Sequence, residues 1–103
     1  MTVYIYVKDD RVCRANRKPD VYPHVRVSSD FRVVTIFDGR GRSSVNLRNF
    51  ERAFGDPRKA WLEFKSYLWA LFSSLSLKSE VYGKLRDGLF EVIAEEERRR
   101  AIT

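Results

Sequence analysis

The chain has 103 residues, 44% of them hydrophobic and 33% charged, which is enough apolar material for one core and too much for a disordered chain. A single cysteine, Cys13, and a single histidine, His24, exclude an intrachain disulfide and a thiolate–imidazole zinc cage, and no run of about 18 apolar residues is present to span a bilayer. The formal net charge of +6 lies wholly in residues 1–60, which hold 13 Lys/Arg against 7 Asp/Glu, whereas residues 61–103 hold 7 of each.

Residues 3–8, Val-Tyr-Ile-Tyr-Val-Lys, alternate strictly and predict a strand with Val3, Ile5 and Val7 on one face and Tyr4, Tyr6 and Lys8 on the other. Asp9-Asp10 predicts a two-residue turn without the usual glycine, and residues 11–15 return beside the first strand, with Lys8 opposite Arg11 and Tyr6 opposite Cys13. Residues 16–20 form a turn. Residues 21–28 predict a third strand with Val21, Val25 and Val27 on one face and Tyr22, His24 and Arg26 on the other; Pro23 lacks a backbone donor and predicts an edge position or a bulge. Residues 31–37 predict a central fourth strand, apolar on both faces. Asp38-Gly39-Arg40-Gly41-Arg42 is a basic turn whose glycines let a ligand approach the backbone. It lacks the spacing and the following Lys-Ser/Thr of a P-loop. Residues 43–45 offer a short further strand.

From residue 46 the pattern is helical. Asn46 caps residues 47–54 and Gly55 stops them. Asp56-Pro57 then starts a second helix whose residues Trp61, Phe64, Leu68, Leu71, Phe72 and Leu75 recur at helical spacing. Tyr67 and Trp69 widen that stripe, and Trp69 stands out as a partner-facing candidate. Residues 73–76 predict a link, with Ser76 or Ser79 as the next cap. The last helix runs from about residue 80 toward 100 on the stripe Leu85, Leu89, Val92, Ile93. Gly83 and Gly88 weaken it locally or mark close packing, and Glu95 to Arg100 form a solvated, self-neutral end. Hairpins followed by helices predict one α+β domain: an antiparallel sheet of about four strands with about three helices on one face.

If the helices cover the Val3/Ile5/Val7 face, Tyr4, Tyr6, Lys8, Arg11, Tyr22 and Arg26 share the other. Rings among cations are what single-stranded nucleic acid requires, because bases stack on aromatic faces and phosphates attract Arg and Lys. Arg14, Arg17, Lys18, Arg32, Arg40 and Arg42 are expected to flank that surface. Arginine outnumbers lysine 14 to 6, and its planar fork suits phosphate and base stacking. The chain has no glutamine and carries its charge largely on Arg and Glu, a thermophile-like composition that points to an archaeal or viral source. No signal-peptide pattern opens the sequence, so a cytoplasmic location is expected.

The order of elements, with Tyr4-Ile5-Tyr6, the loop Arg40-Gly41-Arg42, the helix over residues 61–72 and the charged final helix, resembles the ThermoDBP family of single-stranded-DNA-binding proteins of hyperthermophilic archaea. The resemblance implies a small sheet-and-helix domain with an aromatic cleft flanked by basic residues, and association through helical segments, hence a homodimer. The sequence itself, with no cofactor motif and one histidine and one cysteine, predicts no cofactor and no metal. The competing reading is a small archaeal or viral protein–protein interaction module that dimerises through its C-terminal helices. An enzyme is disfavoured because Asp9, Asp10, Asp20, Asp30 and Asp38 all fall at turns, and duplex readout because no helix-turn-helix pattern with a basic recognition helix is present.

Overall fold

A computed structural model describes residues 1–102. Five strands, β1 (Val3–Lys8), β2 (Arg11–Ala15), β3 (His24–Val27), β4 (Val33–Phe37) and β5 (Arg42–Asn46), precede three helices, α1 (Leu47–Phe54), α2 (Pro57–Ser76) and α3 (Val81–Ile102). The strands form one sheet in the order β2-β1-β3-β4-β5, and every neighbouring pair is antiparallel. The α+β architecture is the expected one. The strand count is five, because residues 43–45 extend into a full edge strand paired along β4.

Cross-strand pairing sets the two faces. Ile5 lies opposite Val25, and Val25 opposite Ile36; Val3 lies opposite Val27, Val27 opposite Val34, and Val34 opposite Val45. Directly opposed residues project to the same side, so these apolar rows share one face. Its centre is closed to solvent: Ile5 and Val25 are 0% exposed, Val27 and Val34 1%. Onto this face α2 delivers a stripe at four-residue spacing, Ala60, Phe64, Leu68 and Phe72, and α3 delivers Leu85, Leu89, Val92 and Ile93, all in one buried cluster with the sheet.

Local chemistry fixes the joints. Asp9 and Asp10 both take positive φ, 53° and 64°, giving the mirror-image turn whose twist matches a hairpin; Asp tolerates this region better than most side chains. Lys84 of α3 grips the turn by donating to the Asp10 backbone carbonyl at 3.0 Å and to the Asp10 carboxylate. The Asn46 side chain accepts from Arg48 N–H at 2.9 Å and starts α1, and Gly55, at φ 74°, ends it. Asp56 caps α2 by accepting from Arg58 N–H at 3.0 Å, with Pro57 in the first turn.

Three expectations change. Strand β3 is the middle strand of the sheet, not an edge; Pro23 precedes its first residue, so the missing N–H falls outside the ladder. The fourth strand begins at Val33, because Phe31 sits at φ 60° in a turn where the Ser28 hydroxyl accepts from the Arg32 and Val33 N–H groups at 3.2 and 3.0 Å. The link between the last two helices is residues 77–80, because the serines at 73, 74 and 76 stay helical; the Ser76 hydroxyl returns to the Ser73 carbonyl at 2.6 Å.

The two glycines of α3 differ in purpose. A Cβ on Gly88 would lie 2.6 Å from Val12 Cγ1 and 3.1 Å from Ile5 Cγ2, whereas one on Gly83 would meet only Ser76 Cβ at 3.6 Å. Gly88 is where the helix seats on the β1–β2 hairpin. Gly83→Ala is expected to stabilise the fold by about 0.5–1 kcal/mol through helix propensity. Gly88→Ala is expected to destabilise it by about 1–3 kcal/mol through overpacking that outweighs the same propensity gain. Urea or thermal melts of the two variants check the opposite signs.

Candidate functional site

The buried helical side chains cluster with the Ile5 face, and register places the residues of the other face. Tyr4 opposes Ala15 and Arg26, Arg26 opposes Thr35, and Thr35 opposes Ser44. The adjacent row runs Cys13, Tyr6, His24, Phe37, Arg42, and Lys8 closes the hairpin opposite Arg11. Of the expected residues, Tyr4, Tyr6, Lys8, Arg11, Arg26 and Arg42 therefore share this face. Tyr22 joins them from the segment before β3: its ring centroid lies 4.9 Å from that of His24.

The middle of the face is an aromatic cluster. The His24 ring stacks on Phe37 at 4.9 Å and 19° between planes, and Tyr4 lies 5.9 Å from His24. The Arg26 guanidinium sits over the Phe37 ring, 5.1 Å from its centroid, a cation–π arrangement. Beneath these side chains His24 is 0% and Thr35 1% exposed, and the Thr35 and Ser44 hydroxyls satisfy each other at 3.0 Å. Beside the cluster, Tyr22, Phe37, Gly39, Gly41 and Arg42 line an open hollow of about 320 Å³. The loop wall of that hollow is built by Asp38, whose carboxylate accepts from the Arg40 and Gly41 N–H groups at 2.8 and 2.9 Å; these bonds hold its carboxyl below the usual range. Gly39 takes φ 95° there, a conformation glycine reaches without strain, and a Cβ at this position would meet the Tyr22 side chain at 3.5 Å.

The cations divide into two populations. Arg14, expected beside the tyrosines, opposes Ile5 and so lies on the helix face. There its guanidinium grips both oxygens of Glu95, at 2.9 and 2.6 Å. The physical reason is the two-residue period of β2, which puts Arg14 with Val12 and not with Cys13 and Arg11. Arg32 is likewise committed, paired with Glu51 of α1. Among the described residues, no ion pair engages Lys8, Arg11, Arg17, Lys18, Arg26, Arg40 or Arg42. Arg17 and Lys18 lie in the β2–β3 connection, and Arg40 and Arg42 at the β4–β5 turn.

The alternation puts His24 on the Tyr22 and Arg26 side, but the sequence pattern alone assigns neither His24 nor Phe37 to the binding set. The signal is present in the alternation, since both fall in the Tyr6 row once the register is known. The block Glu95 to Arg100 is also more than a solvated end. Glu97 accepts from Trp61 Nε1 and from Lys65 Nζ, both at 2.7 Å. Burial pushes the Glu97 carboxyl up, and these two hydrogen bonds outweigh it, so it sits below its usual range. Glu96, 8% exposed, accepts from Arg99 at 2.8 Å and from Arg100 at 2.8 Å. Those hydrogen bonds, Arg99 first, hold its carboxyl down at about 2. No family model matches the chain, and no curated protein and no solved structure matches it.

A carboxyl held lower in the folded state than in the unfolded chain contributes stability that is present above the unfolded value and lost as pH falls through the folded one. For Glu96 that window runs from the ordinary 4.5 down to about 2. Glu96→Gln is expected to melt earlier than the parent at neutral pH, with the gap closing as pH falls through that window. Thermal melts across the acid range check it, and a gap independent of pH would assign Glu96 a packing role alone.

Proposed function

We propose that this chain binds single-stranded nucleic acid, DNA being the form to test first, on the open face of its sheet. One observation carries the reading: the aromatic cluster Tyr4, Tyr22, His24 and Phe37, with Tyr6 in the same row of the sheet, shares its face or rim with cations that no ion pair engages among the described residues. Bases stack on such rings for about 1–3 kcal/mol each, and phosphates replace the missing carboxylates while releasing their counterions. Lys8, Arg11, Arg26, Arg40 and Arg42 are the cations assigned to phosphate, with Arg17 and Lys18 extending the field. Arg14 and Arg32 are withdrawn from the binding set, since their guanidinium groups hold Glu95 and Glu51. The ThermoDBP-like order of elements points the same way, and a chain of this kind would work in the cytoplasm, where polyanions are abundant. No helix among the described residues is long and apolar enough to cross a membrane.

A second reading, self-association through the helices, is favoured by a separate observation. Phe90 lies about 200° around α3 from Gly88, so it points away from the sheet, and with Leu62, Lys65, Ser66 and Trp69 it lines an open hollow of about 350 Å³. Leu62 is 58% and Trp69 44% exposed there. The Trp69 ring stands edge-on to Phe90 at 5.0 Å, under the Arg86 guanidinium at 4.2 Å. Light scattering at high micromolar concentration is expected to return twice the 12.2 kDa of one chain; a mass of one chain would remove this reading and leave the first intact.

For the first reading, labelled single-stranded DNA, single-stranded RNA and duplex are titrated at several salt concentrations. Tyr6→Ala is expected to cost about 1–3 kcal/mol of single-strand affinity with little change in salt dependence. Arg40→Ala with Arg42→Ala is expected to flatten the log–log salt slope by about 0.7 for each phosphate that is no longer neutralised. Arg14→Ala should lower the melting temperature and leave affinity near that of the parent. Affinity indifferent to salt, or unchanged in both the tyrosine and the arginine variants, overturns the proposal.

A further inference from the structure

The open face holds one atom whose hydrogen bonding is incomplete. Among the described residues, His24 Nε2 is the buried side-chain nitrogen or oxygen that has no partner, on a side chain that is 0% exposed. The other ring nitrogen, Nδ1, lies 2.9 Å from the Val21 carbonyl oxygen. A carbonyl only accepts, so Nδ1 carries the hydrogen and donates it. In the neutral ring Nε2 then presents a bare lone pair. Leaving a buried acceptor unmade is unfavourable, and buried polar atoms are ordinarily satisfied. The position is therefore prepared for a donor brought from outside.

The surroundings specify the donor. His24 is stacked on Phe37 and flanked by Tyr4 and Tyr22, so whatever reaches Nε2 lies among aromatic rings and is itself flat and aromatic. Tyr22, 48% exposed, is the most open of the three rings around His24. It also forms one wall of the hollow lined by Phe37, Gly39, Gly41 and Arg42. A planar ring entering that hollow meets Phe37 and Tyr22, the two rings packed against the imidazole, with Arg42 at its rim. We infer that His24 Nε2 is a base-reading acceptor: it takes a hydrogen bond from the amino group of an adenine or cytosine seated between Tyr22 and Phe37, giving this face a preference among single strands. Adenine and cytosine each carry an exocyclic amino donor where thymine carries a carbonyl oxygen, and an oxygen facing the Nε2 lone pair repels it. Unstacked bases held by aromatic rings are read in this way along their hydrogen-bonding edges. The inference rests on the single-strand reading and adds to it the class of base.

The test uses the intact chain with oligomers of deoxyadenosine, deoxycytidine and deoxythymidine of equal length, at one salt concentration. The parent is expected to bind the first two about three- to tenfold more tightly than the third, the range of one neutral hydrogen bond. His24→Phe keeps the ring and its stacking on Phe37 and removes the acceptor; it is expected to level the three affinities near the deoxythymidine value. Because His24 is the sole histidine of the chain, its two ring nitrogens give unambiguous 15N signals in the parent, so the result does not depend on the variant folding. The Nε2 signal is expected to move on adding the deoxyadenosine oligomer and to stay in place on adding the deoxythymidine oligomer. Equal affinities of the parent for all three, or an Nε2 signal that ignores the adenine-bearing strand, overturns the inference and leaves the lone pair with no role in reading the strand; the single-strand reading survives either result. Failure of every oligomer to bind overturns both. Deoxyadenosine monophosphate is the remaining arm: saturation by the free nucleotide as tightly as by the oligomer would overturn the strand-reading role and reassign the pocket to a mononucleotide.

Discussion

The close approach of α3 to the β1–β2 hairpin is the constraint on which the other arrangements depend. At Gly88 the helix backbone comes near enough to Val12 and Ile5 that a Cβ would collide, and Lys84, one turn earlier, holds the Asp10 turn. With α3 seated there and α2 beside it, the rows Ile5–Val25–Ile36 and Val27–Val34 are sealed. A strand has a side-chain period of two, so sealing one face determines the other: a one-residue slip of β1 or β3 would bring tyrosine or arginine into the core and valine into solvent. Tyr6, His24, Phe37 and Arg42 are gathered on the open face because their neighbours are committed beneath it.

The same geometry leaves part of the N-terminal positive charge without ion-pair partners, because many carboxylates are engaged in other contacts. Glu51, Glu95, Glu96 and Glu97 each hold a cation in or against the helices, and Asp30 and Asp38 accept from backbone N–H groups of their own turns. Of these, Asp38 stands at the edge of the open face, against Arg40. Lys8 stands directly opposite Arg11, and like charges in that relation disfavour the sheet by themselves. Arg26 recovers part of the cost over Phe37. A face whose cations form no ion pair gains most when a polyanion supplies the opposing charge, and this gain is larger than that of a face whose cations are already paired.

Much of this is legible in the sequence, and the exceptions have identifiable causes. Strict alternation over residues 3–8, the Asn46 and Asp56 caps, and the Gly55 stop are local signals, and each forms as expected. The position of β3 is not local. Pro23 argues for an edge, and only the pairing of β1 with β3 across the sheet shows that the proline lies one residue outside the ladder. The charge of Arg14 suggests the basic surface, but its parity decides its place; counting two from Val12 puts it with the helix-facing residues. The serines at 73, 74 and 76 have the composition of a break, yet the helix that carries Phe72 is held by tertiary packing strong enough to override their weak propensity. His24 looks like an ordinary lone histidine, because nothing in a sequence reports that one ring nitrogen is bonded to Val21 and the other to nothing.

The open face is also unlike a solvated sheet surface in one physical respect: it has an interior of its own. His24 and Thr35 are as closed to solvent as the valines on the opposite side, with Tyr4, Tyr22 and Phe37 around the one and Ser44 bonded to the other. The Thr35–Ser44 hydroxyl pair, the Asp38 turn behind Arg40 and Gly41, and the place of Gly39 beside the Tyr22 side chain fix the layer from both ends. Rings held this way have surrendered rotamer freedom at folding and do not surrender it again on contact with a ligand, which is the source of affinity in a preorganised surface. The same layer couples stability to recognition. Removing a ring from it opens the cover over His24 as well as removing a stacking platform, whereas the cations at its rim, unpaired and exposed, can be removed without disturbing what lies beneath. Charge and stacking are therefore separable on this face even though they occupy adjacent residues.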